Sequence, residues 1–210
     1  METSYQSQDF LQVLSRISPL PANFQERIMA QLLTEHHPAK DLLQQPGDIS
    51  RQIYFIKSGF LRAYHLDHHG KQHTIWFAGS GELMISARSF FTQRPSEEYI
   101  ETLQQSILQS LTWNQLQSYY ADFPQANLIS RIFTERYYIQ AEERALFLRT
   151  QSPLQRYQLL LSRYPCIEQM TTTVNIASYL GMERETFSRM RSQLLRYKSS
   201  IGLPNLNKKK

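Results

Sequence analysis

The densest potential chemistry in this 210-residue chain is a trio within six residues: Arg184, Glu185 and Arg189 of the stretch SYLGMERETFSRM. An arginine fork can bridge the O6 and N7 acceptors of guanine, and a glutamate can accept from the N4 amino group of cytosine. A carboxylate facing a polyanion is repelled by its phosphates, so a glutamate between two arginines points to base edges rather than to backbone attraction. The competing reading is a solvated Arg–Glu surface pair, worth about 0–1 kcal/mol.

The trio needs a rigid element to aim it. From Thr173 the chain reads TVNIASYLGMERETFSRMRS. A helix-turn-helix needs a small residue where its helices cross, a glycine able to take positive φ at the turn, and apolar residues on the shared inner faces. Ala177 fits the crossing, Gly181 the turn, and Ile176, Leu180, Met182, Phe187 and Met190 the core. In the second helix Phe187, Met190 and Leu194 share one face, and Glu185, Arg189, Ser192 and Arg196 share the opposite one. Thr172 or Thr173 is placed to cap the first helix, where free backbone N–H groups attract a phosphate.

Charge agrees with that placement. Residues 1–149 hold 13 Lys/Arg against 15 Asp/Glu, a net −2, whereas residues 150–210 hold 10 against 3, a net +7. Without Lys208, Lys209 and Lys210 the segment still carries +4. A basic third after a near-neutral body is the footprint of a surface that meets a polyanion and releases its counterions. No apolar run approaches the ~20 residues of a membrane span. The start, METSYQSQDF, lacks a secretory pattern, and the single cysteine, Cys166, indicates a reducing compartment, so a cytoplasmic location is expected. No phosphate loop, nucleophile elbow or zinc-ligand spacing is present, and the Glu97-Glu98-Tyr99 cluster has no evident partner, so no enzyme is expected.

Upstream, Phe10, Leu11, Leu14 and Ile17, then Phe24, Ile28, Leu32 and Leu33, fit two short helices about the break Ser18-Pro19-Leu20-Pro21. From about residue 42 the texture becomes β-branched and aromatic, with glycines at 47, 59, 70 and 81, the rhythm of an antiparallel roll ending near residue 115. Four histidines, His65, His68, His69 and His73, surround Gly70. Strand alternation scatters their side chains, so a turn is expected rather than a metal site. Residues 125–149 lack Gly and Pro, and Leu128, Ile132, Glu135, Ile139, Glu142 and Leu146 recur at heptad spacing. This predicts a long helix, either packed on its own β domain or paired in a parallel dimer. Two of its six seam positions are glutamate.

The stretch IASYLGMERETFSRMRSQL resembles the reader of the cyclic-AMP receptor protein and fumarate-nitrate regulator (Crp/Fnr) superfamily of bacterial transcription factors, whose recognition helix carries the same Arg-Glu-Thr and a following Arg. The upstream order of roll, long helix and reader is similar too, so the resemblance spans nearly the whole chain. It implies an α+β fold: a cyclic-nucleotide-binding-like β-roll sensor (1–124), a long central dimerisation helix (125–150) and a helix-turn-helix domain, a reduced winged helix, at 151–210. It also implies a homodimer on palindromic double-stranded DNA, with RNA polymerase as a further partner. Arg184, Glu185 and Arg189 would touch bases, and Thr172, Thr173 and Ser188 would hold phosphates.

In the family's cyclic-nucleotide sensors a Gly-Glu-Leu precedes an Arg-Ser or Arg-Thr that meets the cyclic phosphate. Here Gly81-Glu82-Leu83 is followed by Arg94-Pro95-Ser96, making Glu82, Arg94 and Ser96 the candidate ligand residues. The arginine falls about two residues late, and proline offers no N–H. Phe90, Phe91 and the long MISARSFFTQ place bulk where those sensors keep a short loop. Cyclic AMP in the usual mode is therefore not expected, which leaves a different effector or none. A single cysteine excludes a four-thiolate iron–sulfur site.

Overall fold

The structure, a computed structural model, describes residues 9–200. The chain divides into two compact units, residues 1–142 and 143–210. The division falls inside one continuous helix.

Unit 1 opens with α1 (Phe10–Ile17) and α2 (Ala22–Gln31), the two short helices expected from the apolar spacing. Asp9 caps α1 by accepting from the Leu11 N–H, while the Phe10 N–H donates to Gln109 Oε1 at 2.9 Å. Among the described residues eight strands follow: β1 (Leu33–His37), β2 (Leu42–Gln44), β3 (Gln52–Ser58), β4 (Phe60–Leu66), β5 (Gln72–Gly79), β6 (Leu83–Met84), β7 (Tyr99–Thr102) and β8 (Ser106–Thr112). They form two four-stranded sheets, ordered β1-β8-β3-β6 and β2-β7-β4-β5, and every pairing is antiparallel.

The core of the roll is drawn from both sheets. Tyr54, Ile56, Leu108 and Met84 come from the first, and Leu61, Ala63, Ala78 and Ile100 from the second. Strand β4 does not alternate cleanly, because Phe60, Arg62 and Tyr64 are buried on its other face. Arg62 stays in place because its Nε donates to Glu101 at 2.6 Å and its guanidinium lies 4.2 Å over the Tyr64 ring. Gly59 makes the β3–β4 turn at φ +114°, and a Cβ there would sit 2.1 Å from Ser106 Oγ, so only glycine fits.

The structure departs from the sequence-based expectation in three places. A helix α3 (Ala87–Thr92) occupies the MISARSFFTQ segment, with Phe90 fully buried and Phe91 exposed. A further helix, α4 (Trp113–Asp122), follows β8 directly, started by a capping box between Thr112 and Gln115. Strand β1 pairs with β8 in the segment read as the end of the second helix. Helices α1, α2 and α4 close one flank of the roll through Phe10, Leu14, Phe24, Ile28, Tyr119 and Phe123 against Phe55 and Leu111, with Phe24 stacked on Phe123 at 4.3 Å.

The long helix, α5 (Pro124–Thr150), matches the expected span to within a residue at each end. Ala126 and Ile129 join the core of unit 1, and Phe133 packs against it. Its heptad residues lie elsewhere: Leu128, Ile139 and Leu146 are exposed, as are Tyr137, Tyr138 and Leu148.

Unit 2 continues with α6 (Pro153–Arg163), begun by a Ser152–Gln155 capping box, then α7 (Ile167–Met170), α8 (Thr173–Tyr179) and α9 (Arg184–Ser200). Tyr157, Leu160, Tyr164, Ile167, Ile176, Ala177, Leu180 and Phe187 are buried. Tyr157 meets Phe187 edge-on at 5.1 Å between ring centres. The tail lysines Lys208, Lys209 and Lys210 lie outside the described residues.

Candidate nucleic-acid interface and effector region

Helices α8 and α9 pack on each other across the turn Leu180–Glu183, with Gly181 at φ +67°. The Gly181 N–H donates to the Ser178 carbonyl at 3.0 Å and the Met182 N–H to that of Ala177 at 3.1 Å, which closes the end of α8. Fully buried Ile176, Leu180 and Phe187 fix how far α9 rolls about its axis. With Phe187 inward, Arg184, Glu185, Ser188 and Arg189 are all exposed. Among the described residues none of the three charged side chains has a hydrogen-bond or ion-pair partner, although Glu185 and Arg189 are spaced to pair. The solvated Arg–Glu pair is thus not formed.

Thr172 is the N-cap of α8: its hydroxyl accepts from the Asn175 N–H at 3.2 Å, and Thr173 is the first helical residue. The same helix start is tied down from inside by buried Asn175, whose Nδ2 donates to Thr171 Oγ1 at 2.8 Å.

The sequence reading missed the side chains that hold this assembly in place. Arg191, two residues beyond Arg189, forms a fork on Glu168 of α7, Nε to Oε1 at 2.5 Å and Nη2 to Oε2 at 2.6 Å. The Tyr157 hydroxyl donates to the same carboxylate. The bond to Glu168 raises the pKa of Arg191, and burial, reinforced by Glu168, raises that of Tyr157. Glu168 is the only acidic residue between Arg144 and Glu183, which was the one available signal. Arg144 of α5 and Arg156 of α6 were also missed; they donate to the carbonyls of Tyr179 and Leu180.

The three candidate ligand residues of the roll do not share one environment. Glu82 lies in the β5–β6 turn, where Oε2 accepts from the Gly79 N–H at 2.7 Å. Arg94 is exposed after α3, and its carbonyl accepts from Ser89 Oγ at 2.6 Å. Ser96 is buried; its hydroxyl lies 3.1 Å from Ser86 Oγ and accepts from the Glu98 N–H at 2.9 Å. The Glu97-Glu98-Tyr99 cluster, expected to lack a partner, has several: Arg88 lies 2.9 Å from Glu97, and Ser86 and His65 act on Glu98. Burial raises its carboxyl pKa, partly offset by a hydrogen bond from Ser86 and by His65, whose Nε2 is 3.9 Å away. Burial, and after it the Glu98 charge, raises the pKa of Tyr137 of α5, whose ring lies tilted against Trp76 at 5.4 Å.

Alternation does not scatter the histidines around Gly70: His65 and His73 are register partners across β4 and β5, and the His68 and His69 rings lie 3.9 Å apart in the turn between them. His73 Nε2 meets Asp67 Oδ2 at 2.7 Å, which lowers the Asp67 pKa to about 2, and His65 Nδ1 faces the Glu97 carbonyl at 2.9 Å. Among the described residues no three His, Cys, Asp or Glu side chains gather as a metal site, and no helix is long and apolar enough to cross a membrane.

The described residues thus combine an antiparallel double sheet, a long helix and a helix-turn-helix. Residues 34–123 match the family model of the cyclic nucleotide-binding domain. A comparison with curated proteins gives no match. Among solved structures, the chain is similar to FixK2 from Bradyrhizobium japonicum (TM-score 0.68, 18% identity, 79% of this chain and 85% of that one). It is also similar to CLP of Xanthomonas campestris, described as a c-di-GMP responsive global regulator (TM-score 0.65, 20% identity, 84% and 92%). A third is a CRP/FNR-family transcriptional regulator from Thermus thermophilus (TM-score 0.62, 20% identity, 79% and 87%). The chain therefore shares the fold of these solved structures, and its residues 34–123 match a cyclic nucleotide-binding domain.

Proposed function

We propose that the chain is a homodimeric, sequence-specific DNA-binding transcription regulator. Residues 1–124 are the sensor, 125–150 the dimer seam and 151–210 the reader, and the protein works in the cytoplasm beside RNA polymerase. The observation that carries this is the exposure of unpaired Arg184, Glu185 and Arg189 on a helix whose roll is fixed by buried Phe187. In the major groove Arg184 and Arg189 present forks to guanine and Glu185 an acceptor to cytosine. Thr172, Thr173 and Ser188 hold the flanking phosphates.

The exposed seam residues Leu128, Ile139 and Leu146 support pairing of α5 with a second copy. A signal in the roll then acts by preferring one arrangement of the two seam helices, which sets the spacing of two recognition helices. Cyclic AMP in the usual mode does not suit this roll. Pro95 offers no N–H, the Ser96 hydroxyl is already bonded, and the Glu98 carboxylate sits beside it, where a phosphate would meet an anion. These same groups favour a second reading, a constitutive DNA binder whose roll no longer takes an effector.

Selection from random duplex DNA tests the main reading. It should return a palindrome with half-sites about one helical turn apart. An unenriched pool would overturn it. Thermal-shift measurements against cyclic nucleotides separate the two readings of the roll, and stabilisation by micromolar cyclic AMP would refute the exclusion of that ligand.

A further inference from the structure

Two arginines outside the recognition helix converge on the turn that precedes it. Arg144 donates to the Tyr179 carbonyl, and its guanidinium lies 3.8 Å over the Tyr179 ring and 5.0 Å over that of Phe147. Arg156 donates to the Leu180 carbonyl. These are the last carbonyls at the C-terminal end of α8, where the helix leaves acceptors open and carries partial negative charge. Neither arginine has a carboxylate partner among the described residues, and Arg144 Nη1 and Arg156 Nε are buried without any partner.

That arrangement is costly by itself. Burial lowers the Arg144 pKa, and the neighbouring positive Arg156 lowers it further, against the favourable effect of Tyr179. Two like charges are held at one turn without counter-ions, so the carbonyl end of α8 and the aromatic faces must supply the compensation. The turn fits them closely: a Cβ on Gly181 would lie 3.2 Å from Arg156 Nη1 and 3.0 Å from Leu148 Cδ2.

We propose that Arg144 and Arg156 are positioning residues, a clamp on the Gly181 turn that sets the pose from which Arg184, Glu185 and Arg189 meet DNA. Arg144 belongs to the helix that carries Ile139 and Leu146, so the clamp ties the reader's turn to the seam helix. Its functional consequence rests on the DNA-reading proposal; the clamp itself does not.

The test uses the full chain as wild type, Arg144→Met, Arg156→Met and Arg144→Lys. Methionine keeps the unbranched stem and removes the charge; lysine keeps the charge and removes the fork. Amide hydrogen exchange at Leu180–Glu183 should accelerate about tenfold in both Met variants while strands β3 and β8 are unchanged, and lysine should restore part of the protection. On the duplex selected by wild type, specific affinity should fall about tenfold, comparable to losing one base contact. Affinity for unrelated duplex, which depends on charge rather than pose, should fall far less.

Unchanged exchange in both Met variants overturns the clamp. A loosened turn with undiminished specific affinity overturns its positioning role. If wild type selects no DNA, the reading of function fails alone and the exchange measurement still judges the clamp. If Arg144→Met does not fold, Arg156→Met and Arg144→Lys give the same measurement.

Discussion

Replacing Gly181 by alanine should loosen the reader at its narrowest point. At φ +67° an L-residue pays about 1–2 kcal/mol for the left-handed conformation. The new methyl would also lie 3.0 Å from Leu148 Cδ2 and 3.2 Å from Arg156 Nη1, so one of them must give way. Restriction of the unfolded chain returns about 0.4–1 kcal/mol, which leaves a net loss of about 1 kcal/mol or somewhat more. Both tryptophans, Trp76 and Trp113, lie in unit 1, so their fluorescence follows the roll, whereas far-UV circular dichroism sees the helices of both units. Urea unfolding of Gly181→Ala should therefore shift the dichroism transition down by more than the fluorescence transition. Asparagine, which tolerates the left-handed region, brings the same Cβ contact and should cost less than alanine. If Gly181→Ala were as stable as wild type, neither the conformational nor the contact argument could stand.

The other predictions concern the reading edge, the seam and the roll. Glu185→Ala should relax one base position in the selected motif at a cost of about 1–3 kcal/mol in discrimination, whereas Ser192→Ala, further along the exposed face, should leave the motif intact; selection repeated on both variants compares them. Ile139→Asp with Leu146→Asp should abolish dimers in sedimentation without moving the tryptophan transition, since both residues are exposed in the single chain. Glu98 has a raised carboxyl pKa in the folded state, so the native form binds more protons than the unfolded form between the unfolded pKa and the folded one. Stability from this group is present below the unfolded pKa and lost as pH rises through the folded pKa. Glu98→Gln should therefore melt at the same temperature or higher near neutral pH, and the advantage should vanish in acid; a lower melting point at pH 7 would show that the ionised carboxylate is stabilising.

Legibility in the sequence followed how much of each signal is local. Gly47, Gly59, Gly70 and Gly81 all carry positive φ in turns, so their rhythm marked real strand ends. The helix-turn-helix was readable because Ala177, Gly181 and Phe187 answer steric demands within a span of eleven residues. Strand β1 was not, because LTEHH has no strand pattern of its own and is extended only through its pairing with β8, some seventy residues away. Helix α4 was hidden by mixed polarity: Leu116 and Tyr119 are its buried contacts, and the Thr112–Gln115 box was the signal overlooked. For the candidate ligand residues, spacing put Glu82 near Ser96, but the β5–β6 turn uses the Glu82 carboxylate for the Gly79 N–H.

The arginines of unit 2 explain why composition and periodicity mark a basic helical unit better than they assign its residues. Arg189 and Arg191 lie in one RMR triplet on one helix and add equally to the net charge. Packing separates them: α9 is rolled so that Phe187 is fully buried, which leaves Arg189 outward and carries Arg191 round to Glu168 and the Tyr157 hydroxyl. Arg144 and Arg156 are spent on the carbonyl end of α8 in the same way. Part of the basic charge of unit 2 thus builds the frame, while Arg184 and Arg189 stay exposed. Removing Arg189 should accordingly weaken DNA binding with the fold intact. Removing Arg191 leaves Glu168 buried without its cation, and should lower stability before it lowers affinity.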